Sequence, residues 1–181
     1  MRRVFFGLEI PTEIKQRLLQ VMAAVAGAEW QSTERMHLTL LFLGNLEEDR
    51  LLAVREVARD IALKAFELNI VGLGCFGQPH APDYLWAGVQ PEVPVVSLYS
   101  AIKNQVESLG LHTERRAYRP HLTLARFKRA SASVEHLLNE YREAVFGVFQ
   151  VDEFVLFETQ PSAAGSVYRV LERYPLSRSA V

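Results

Sequence analysis

Two of the five histidines in this chain open the same tetrapeptide, His-Leu-Thr-Leu, at His37–Leu40 and again at His121–Leu124. Each copy lies in an apolar run suited to a strand, Met36–Phe42 and His121–Ala125. On a strand, residues i and i+2 face the same way. His37 and Thr39 then share one face, and Leu38 and Leu40 the other. His121 and Thr123 are set against Leu122 and Leu124 in the same manner. The leucines anchor each strand in a core, while an imidazole and a hydroxyl look outward. Side by side, the two strands would present two histidines and two threonines to one groove. Imidazoles titrate near neutrality, so this set is equipped for general acid–base chemistry on an anionic group.

The elements that must position these residues follow from periodicity and turn signals. Val4–Ile10 reads as a strand ended by Pro11. A helix follows, with Thr12 as its cap, an apolar stripe of Ile14, Leu18, Val21, Met22 and Val25, and Gly27 closing it. The first motif strand spans about Met36–Leu43 and stops at Gly44-Asn45; a helix is expected over Glu48–Lys64. Phe66–Phe76 and Tyr84–Gln90 read as a strand hairpin around the turn-rich stretch Gly77–Asp83. In the second half, Pro94–Gly110 reads as a helix, the second motif strand follows Pro120, and Ser133–Phe146 reads as a helix started by a capping serine. Val148–Glu158 and Val167–Tyr174 form a closing hairpin around Pro161–Gly165. Each half is thus helix, motif strand, helix, strand, strand, with one extra leading strand in the first. The repeat implies an internal duplication, with halves of about 1–92 and 93–181, inside one bilobal domain covering 1–181. The expected fold is α+β: two pseudo-symmetric lobes, each an antiparallel sheet with helices on its outer face, and an active-site cleft between them.

Composition sets outer bounds. Hydrophobic residues make up 49% of the 181 residues and the formal net charge is −1. That balance argues against broad binding along a nucleic-acid backbone and leaves room for a nucleotide or a single RNA end. Cys75 is the only cysteine, so no disulfide forms within the chain. The N-terminal apolar stretch is too short for a signal peptide and no run reaches transmembrane length, so a cytoplasmic protein without membrane association is expected. The segment Gly72-Leu73-Gly74-Cys75-Phe76-Gly77 satisfies the spacing of a dinucleotide fingerprint, but Pro79 and Pro82 break the segment where a helix would have to begin. It reads as a glycine-bearing strand and turn. No His/Glu metal motif and no phosphate-binding lysine loop is present, so no metal or other cofactor is expected. His80, His112 and His136 read as surface or structural residues.

With its flanks, the motif pair resembles the 2H phosphoesterase superfamily, and within it the RNA 2′,3′-cyclic phosphodiesterases, also called 2′-5′ RNA ligases. The resemblance covers nearly the whole chain. It rests on the opening Arg3–Pro11, on Met36–Gly44 with its trailing glycine, and on Tyr118–Arg126 with a proline before the histidine and an arginine five residues after it. Ser162, Gly165 and Tyr168 fit the closing hairpin of that family. The resemblance implies hydrolysis of 2′,3′-cyclic phosphate ends of RNA or nucleotides to 2′-phosphates, with reversible 2′-5′ RNA ligation as a second reaction of the same site. It implies His37 as the acid on the leaving O3′ and His121 as the base that activates water.

The chemistry of the residues agrees with that implication. In-line opening of the cyclic diester needs a base and an acid on opposite sides of phosphorus, which one histidine cannot supply alone. Thr39 and Thr123 can donate to the non-bridging oxygens, which gain charge in the transition state, and Arg126 can add a cationic fork. At the position five residues after His37 stands Phe42, suited to stacking on a terminal base. Strict alternation turns Phe42 and Arg126 away from the histidines, so these two roles require a bulge. Two other functions fit the same residues: a phosphodiesterase for another small substrate, such as ADP-ribose cyclic phosphate or a 2′-5′-linked oligoadenylate, and a non-catalytic module for RNA ends. The matched pair of histidines argues against the module. No obligate protein partner is implied.

Overall fold

The structure is a computed structural model that describes residues 1–21, 25, 27–128, 132–163 and 165–178. β1 is Arg2–Glu9, in which Val4 to Leu8 are all buried. An unbroken buried run marks a strand covered on both faces. α1 is Thr12–Leu19, with Ile14 and Leu18 one helical turn apart and both buried. β2, Ala28–Trp30, and a 3-10 turn, Thr33–Arg35, lead into β3, His37–Leu46. α2 is Glu48–Ala58, β4 Phe66–Gln78, β5 Ala81–Gln90 and α3 Glu92–Glu107. A stretch without regular structure leads to β6, Leu122–Phe127. The chain ends with α4 at Glu135–Glu140, β7 at Val145–Val151, β8 at Glu153–Ser162 and β9 at Gly165–Pro175.

The strands build two antiparallel sheets, ordered β3-β1-β8-β9 and β2-β6-β5-β4-β7. One motif strand lies in each: β3 at the edge of the first sheet, β6 just inside the edge of the second. The helices supply Ile14, Leu18, Leu51, Val54, Leu98, Ile102 and Leu137 to the core that also holds Leu38, Leu40, Leu122 and Leu124. They therefore pack on the leucine side of the motif strands, which leaves the histidine–threonine side uncovered by helices. A smaller cluster of Phe5, Val155 and Phe157, joined by Tyr168 and Val170, lies apart from that core.

The sheets do not coincide with the two halves of the sequence. The hairpin β4–β5 of the first half joins the sheet of the second motif, and the hairpin β8–β9 joins the sheet of the first. The topology also supplies a partner for the extra leading strand. β1-α1-β3 and β5-α3-β6 are both strand, helix, strand units whose two strands pair antiparallel. On this equivalence the second unit starts at Ala81, inside the stretch that reads as first half in sequence.

Several boundaries differ from the sequence reading. Pro11 occupies the α1 cap, and Thr12 is the first helical residue with no side-chain cap bond. Val21 is buried after the helix end, while Met22 lies outside the described residues. α2 stops at Ala58 instead of Lys64, because Lys64 forms a bridge with Ser177 and the Ala65 N–H donates to the Ser177 carbonyl at 2.7 Å. The expected loop Gly77–Asp83 is mostly strand, closed by a tight turn at Pro79-His80; Gly77 takes φ +85° to make it. α3 begins at Glu92, with Pro94 in the first turn, where its missing N–H costs nothing. The helix expected over Ser133–Phe146 is only Glu135–Glu140, although Ser133 Oγ does accept from the Glu135 N–H at 3.2 Å. Val145 and Phe146 instead open the strand β7, which pairs with β4. The expected strand Val148–Glu158 is two strands in different sheets, parted at Asp152.

Candidate active site

The two motif strands share one irregularity that places the site. In β3, Gly7 of β1 pairs with Thr39 and Phe6 with Leu41, so Leu40 is an extra residue. In β6, Trp86 of β5 pairs with Thr123 and Leu85 with Ala125, so Leu124 is the extra residue. A one-residue bulge reverses the alternation beyond it. Exposure follows: from His37 to Phe42, and from His121 to Arg126, the order is half-buried, buried, half-buried, buried, buried, exposed in both. Phe42 pairs with Phe5, and Phe5 stacks on His37 at 4.9 Å between ring centroids. Phe42 is thus on the histidine–threonine face, where a stacking residue would have to be, with 56% of its surface exposed.

His37, Thr39, His121 and Thr123 line one cavity of about 590 Å³, where β3 and β6 come close together. Phe42, Tyr84, Tyr99, Tyr118 and Tyr168 add aromatic wall. Tyr118 ties the two motifs: its ring stacks on Tyr99 at 4.2 Å and its hydroxyl donates to the Thr39 carbonyl at 2.8 Å. Burial, with the neighbouring Tyr99, pushes the Tyr118 phenol above its ordinary range, so it stays a neutral donor. Arg126 reaches the same face through its bulge, opposite Tyr84 and Glu29, but Tyr84 and not Arg126 forms the cavity wall there.

The two imidazoles sit in different surroundings. The His121 ring meets the Phe76 ring edge-on at 4.9 Å, and its Nδ1 lies 2.7 Å from the Arg119 carbonyl. A carbonyl only accepts, so Nδ1 carries the proton, and the neutral ring keeps its lone pair on Nε2. His37 is enclosed by Phe5, Phe157 and Tyr168, with Tyr168 edge-on at 4.7 Å. Gly7 lets β1 close on the backbone of β3: a Cβ there would meet the Leu38 carbonyl oxygen at 2.9 Å, while the His37 ring, at 3.5 Å, would be in ordinary contact. Burial lowers the His37 pKa from 6.5 to about 4; the Lys15 cation adds to the depression and a hydrogen bond with the Arg35 backbone opposes it.

The duplicated motif is longer than the tetrapeptide. Arg35 and Arg119 stand two residues before the two histidines, so each copy reads Arg-x-His-Leu-Thr-Leu. Both arginines line the cavity, together with Arg116 and one carboxylate, Glu114. A site with three guanidiniums to one carboxylate suits an anion, in a chain whose net charge is −1. The repeated spacing was the signal for Arg35 and Arg119. Nothing in the sequence marked Arg116, Phe5, Phe76 or Tyr99. His80, His112 and His136 do not line this cavity. The glycine segment Gly72–Gly77 lies inside β4 and leads into β5, not into the helix a dinucleotide fingerprint opens. Among the described residues no three His, Cys, Asp or Glu side chains are grouped to hold a metal, and no helix is long and apolar enough to cross a membrane.

Comparison with known proteins gives the same picture at the level of the whole chain. The family model described as the 2′-5′ RNA ligase superfamily matches residues 10–162. The RNA 2′,3′-cyclic phosphodiesterase of Archaeoglobus fulgidus is 27% identical over 172 residues, covering 93% of this chain and 97% of that protein. The protein of the same name from Thermotoga maritima is 27% identical over 175 residues, with 93% and 92% covered. Among solved structures, the protein TT0787 of Thermus thermophilus superposes with a TM-score of 0.83 at 26% identity, covering 98% of this chain and all of that one. Escherichia coli LigT in its apo form superposes at 0.78 with 22% identity, covering 97% and 98%, and shares the fold.

Proposed function

This chain belongs to the 2′-5′ RNA ligase superfamily, and on that premise we propose that it hydrolyses 2′,3′-cyclic phosphate ends of RNA or nucleotides to 2′-phosphates. The observation that carries the proposal is the pairing of two identical bulged motifs across one cation-lined cavity. A non-catalytic binding module has no use for two histidines brought to one cavity in different surroundings. Related proteins named for the same reaction support the reading.

In the proposed step, water attacks phosphorus in line with the P–O3′ bond. Neutral His121 takes the water proton on Nε2 as the P–O bond forms, and protonated His37 gives its proton to O3′ as the P–O3′ bond breaks. The products are a 2′-phosphate and a free 3′-hydroxyl, and exchange with solvent resets both rings. Thr39 and Thr123 donate to the non-bridging oxygens. Arg35 and Arg119 hold the anion in the cavity, and Arg126 acts from its rim. Phe42 stacks on the terminal base. The residues supply acid, base and charge without a metal, and the same in-line step with an RNA 5′-hydroxyl in place of water is a 2′-5′ ligation, in which the 5′-oxygen bonds to phosphorus as the P–O3′ bond breaks. We place the protein in the cytoplasm, where RNA ends of this kind would meet it.

Phosphorus NMR of a 2′,3′-cyclic nucleotide incubated with the protein and chelator tests the reading. A 2′-phosphate should accumulate. No turnover on any cyclic-phosphate substrate would end the proposal, and activity restored by one divalent ion alone would replace its mechanism.

A further inference from the structure

The open face of the second sheet continues past the cavity that holds the histidines. Beyond His121 it forms a second hollow of about 500 Å³, and Phe76, Arg119 and His121 are the wall the two share. Trp86 pairs with Thr123, so its ring is on the histidine–threonine face. Gly74 pairs with Trp86 on the other side, and a Cβ at Gly74 would come within 2.2 Å of the indole carbons. The indole is therefore laid flat across bare backbone. The next residue of β5 on that face is Gly88, where a Cβ would meet the Val71 carbonyl at 2.7 Å. A flat ring followed by a position without a side chain makes a shelf. Arg119 and Arg142 border it, against one carboxylate, Glu92.

The indole is held there by packing. Its Nε1 is buried and has no hydrogen-bond partner among the described residues. A donor left in that state lowers stability, so the ring position is not explained by the polar bonds it makes. The ring lines a hollow that Arg119 and Arg142 also line, so an aromatic platform and two cations share one surface. Single-stranded nucleic acid is bound by that combination, base on ring and phosphate on cation.

We propose that this hollow binds the penultimate nucleotide of an RNA whose last nucleoside carries the cyclic phosphate. The inference rests on the cyclic-phosphate reading above. The linking phosphodiester passes Arg119 at the shared wall, the penultimate base stacks on Trp86, and the next phosphate reaches Arg142. Recognition of this kind is tolerant of base identity, because every base has a flat face.

Two measurements test it. The first compares kcat/KM on a 2′,3′-cyclic mononucleotide and on a short oligonucleotide ending in the same group, for the wild type and for Arg142→Ala. The wild type should prefer the oligonucleotide. Arg142→Ala should lose about tenfold on the oligonucleotide alone, as for one charge-assisted contact, and Arg142→Lys should recover part of it. The second uses fluorescence. The chain has two tryptophans, so Trp30→Phe leaves Trp86 as the only indole. A dinucleotide ending in a 2′-phosphate should quench it, and a mononucleotide should not. Equal losses on both substrates, no wild-type preference, or no difference in quenching would overturn the second subsite while leaving the activity standing. Failure of the wild type on both substrates would overturn the subsite together with the reaction.

Discussion

His37 and His121 begin identical tetrapeptides, yet the fold gives them different surroundings. His121 is fixed as the Nδ1–H tautomer by the Arg119 carbonyl, which leaves the lone pair a base needs. His37, held near pKa 4 by burial and Lys15, is neutral at ordinary pH in the free protein. An acid must be protonated, so the bound phosphate monoanion has to raise that pKa by its own charge. Proton-detected NMR titration should place the His37 midpoint near 4 in the free protein and more than a unit higher with a slow cyclic phosphorothioate bound. A midpoint that stays put would remove His37 from the acid role. The same depression bears on stability. Between pH 6.5 and about 4 the unfolded chain binds a proton at His37 that the folded chain does not, so stability should fall as pH falls through that window. His37→Gln should flatten the slope. In turnover, His37→Ala and His121→Ala should each lose roughly 10²–10⁴-fold while retaining affinity for a 2′-phosphate product. Near-normal rates in either would defeat the two-histidine mechanism. Thr39→Val and Thr123→Val keep the shape and remove a donor, and loss of a preorganised donor raises the barrier by about 3 kcal/mol. Rates equal to wild type would leave the hydroxyls as structural groups.

At the scale of elements, the bulges at Leu40 and Leu124 decide what the fifth residue after each histidine can do. Without them, Phe42 would point into the helix-covered core. Deleting Leu40 should restore strict alternation and turn Phe42 inward, at a cost in both folding and turnover. Phe42→Ala isolates the ring from the bulge. It should raise KM for base-bearing substrates several-fold with little change in kcat, since one lost stack is of that order. An unchanged KM would mean that the exposed ring contacts no base. Phe42 on the cavity wall and Arg126 outside it make the cavity asymmetric. If they orient the ribose, the product is the 2′-phosphate; an even mixture of 2′- and 3′-phosphates on phosphorus NMR would mean that they do not. Tyr118 belongs to this scale as well, because its hydroxyl joins the loop before β6 to the backbone of β3. Tyr118→Phe removes only that bond. It should lower kcat more than it raises KM, by letting the two motifs drift apart.

The whole molecule is held as one unit by exchange of hairpins between the halves. One buried cluster includes residues from both sheets and from every helix. The Arg55 and Arg59 side chains, paired with Glu172 at 3.1 and 2.7 Å, fasten α2 from the first half to β9 from the last. Cutting the chain near residue 92 would leave each piece with a sheet lacking its hairpin and with exposed strand edges. Thermal unfolding should therefore be a single transition, with calorimetric and van't Hoff enthalpies that agree. Two resolved transitions would show that the sheets are energetically separate.

Much of this was legible in the sequence. The His–Thr face, the leucine anchors and most strands follow from alternation, because a period of two is a local property of the backbone. The repeated Arg-x-His-Leu-Thr-Leu spacing marks the cation pair to anyone who extends the motif by two residues. Other features were not local. β2 is three residues long and exists through pairing with β6, which no periodicity can reveal. Val145 and Phe146 read as the end of a helix, and pairing with β4 makes them the start of a strand. Asp152 divides an apolar run that reads as one strand, because the chain there crosses between sheets. The bulges depend on the register of neighbouring strands, and so does the face that Phe42 and Arg126 occupy. Sequence alone determined which residue types could perform acid–base chemistry and which way each motif strand turns them. Only the tertiary structure decided that they meet in one cavity, that one imidazole is held neutral by aromatic burial, and that a tryptophan lies flat beside the other, since each of these depends on contacts between residues far apart in the chain.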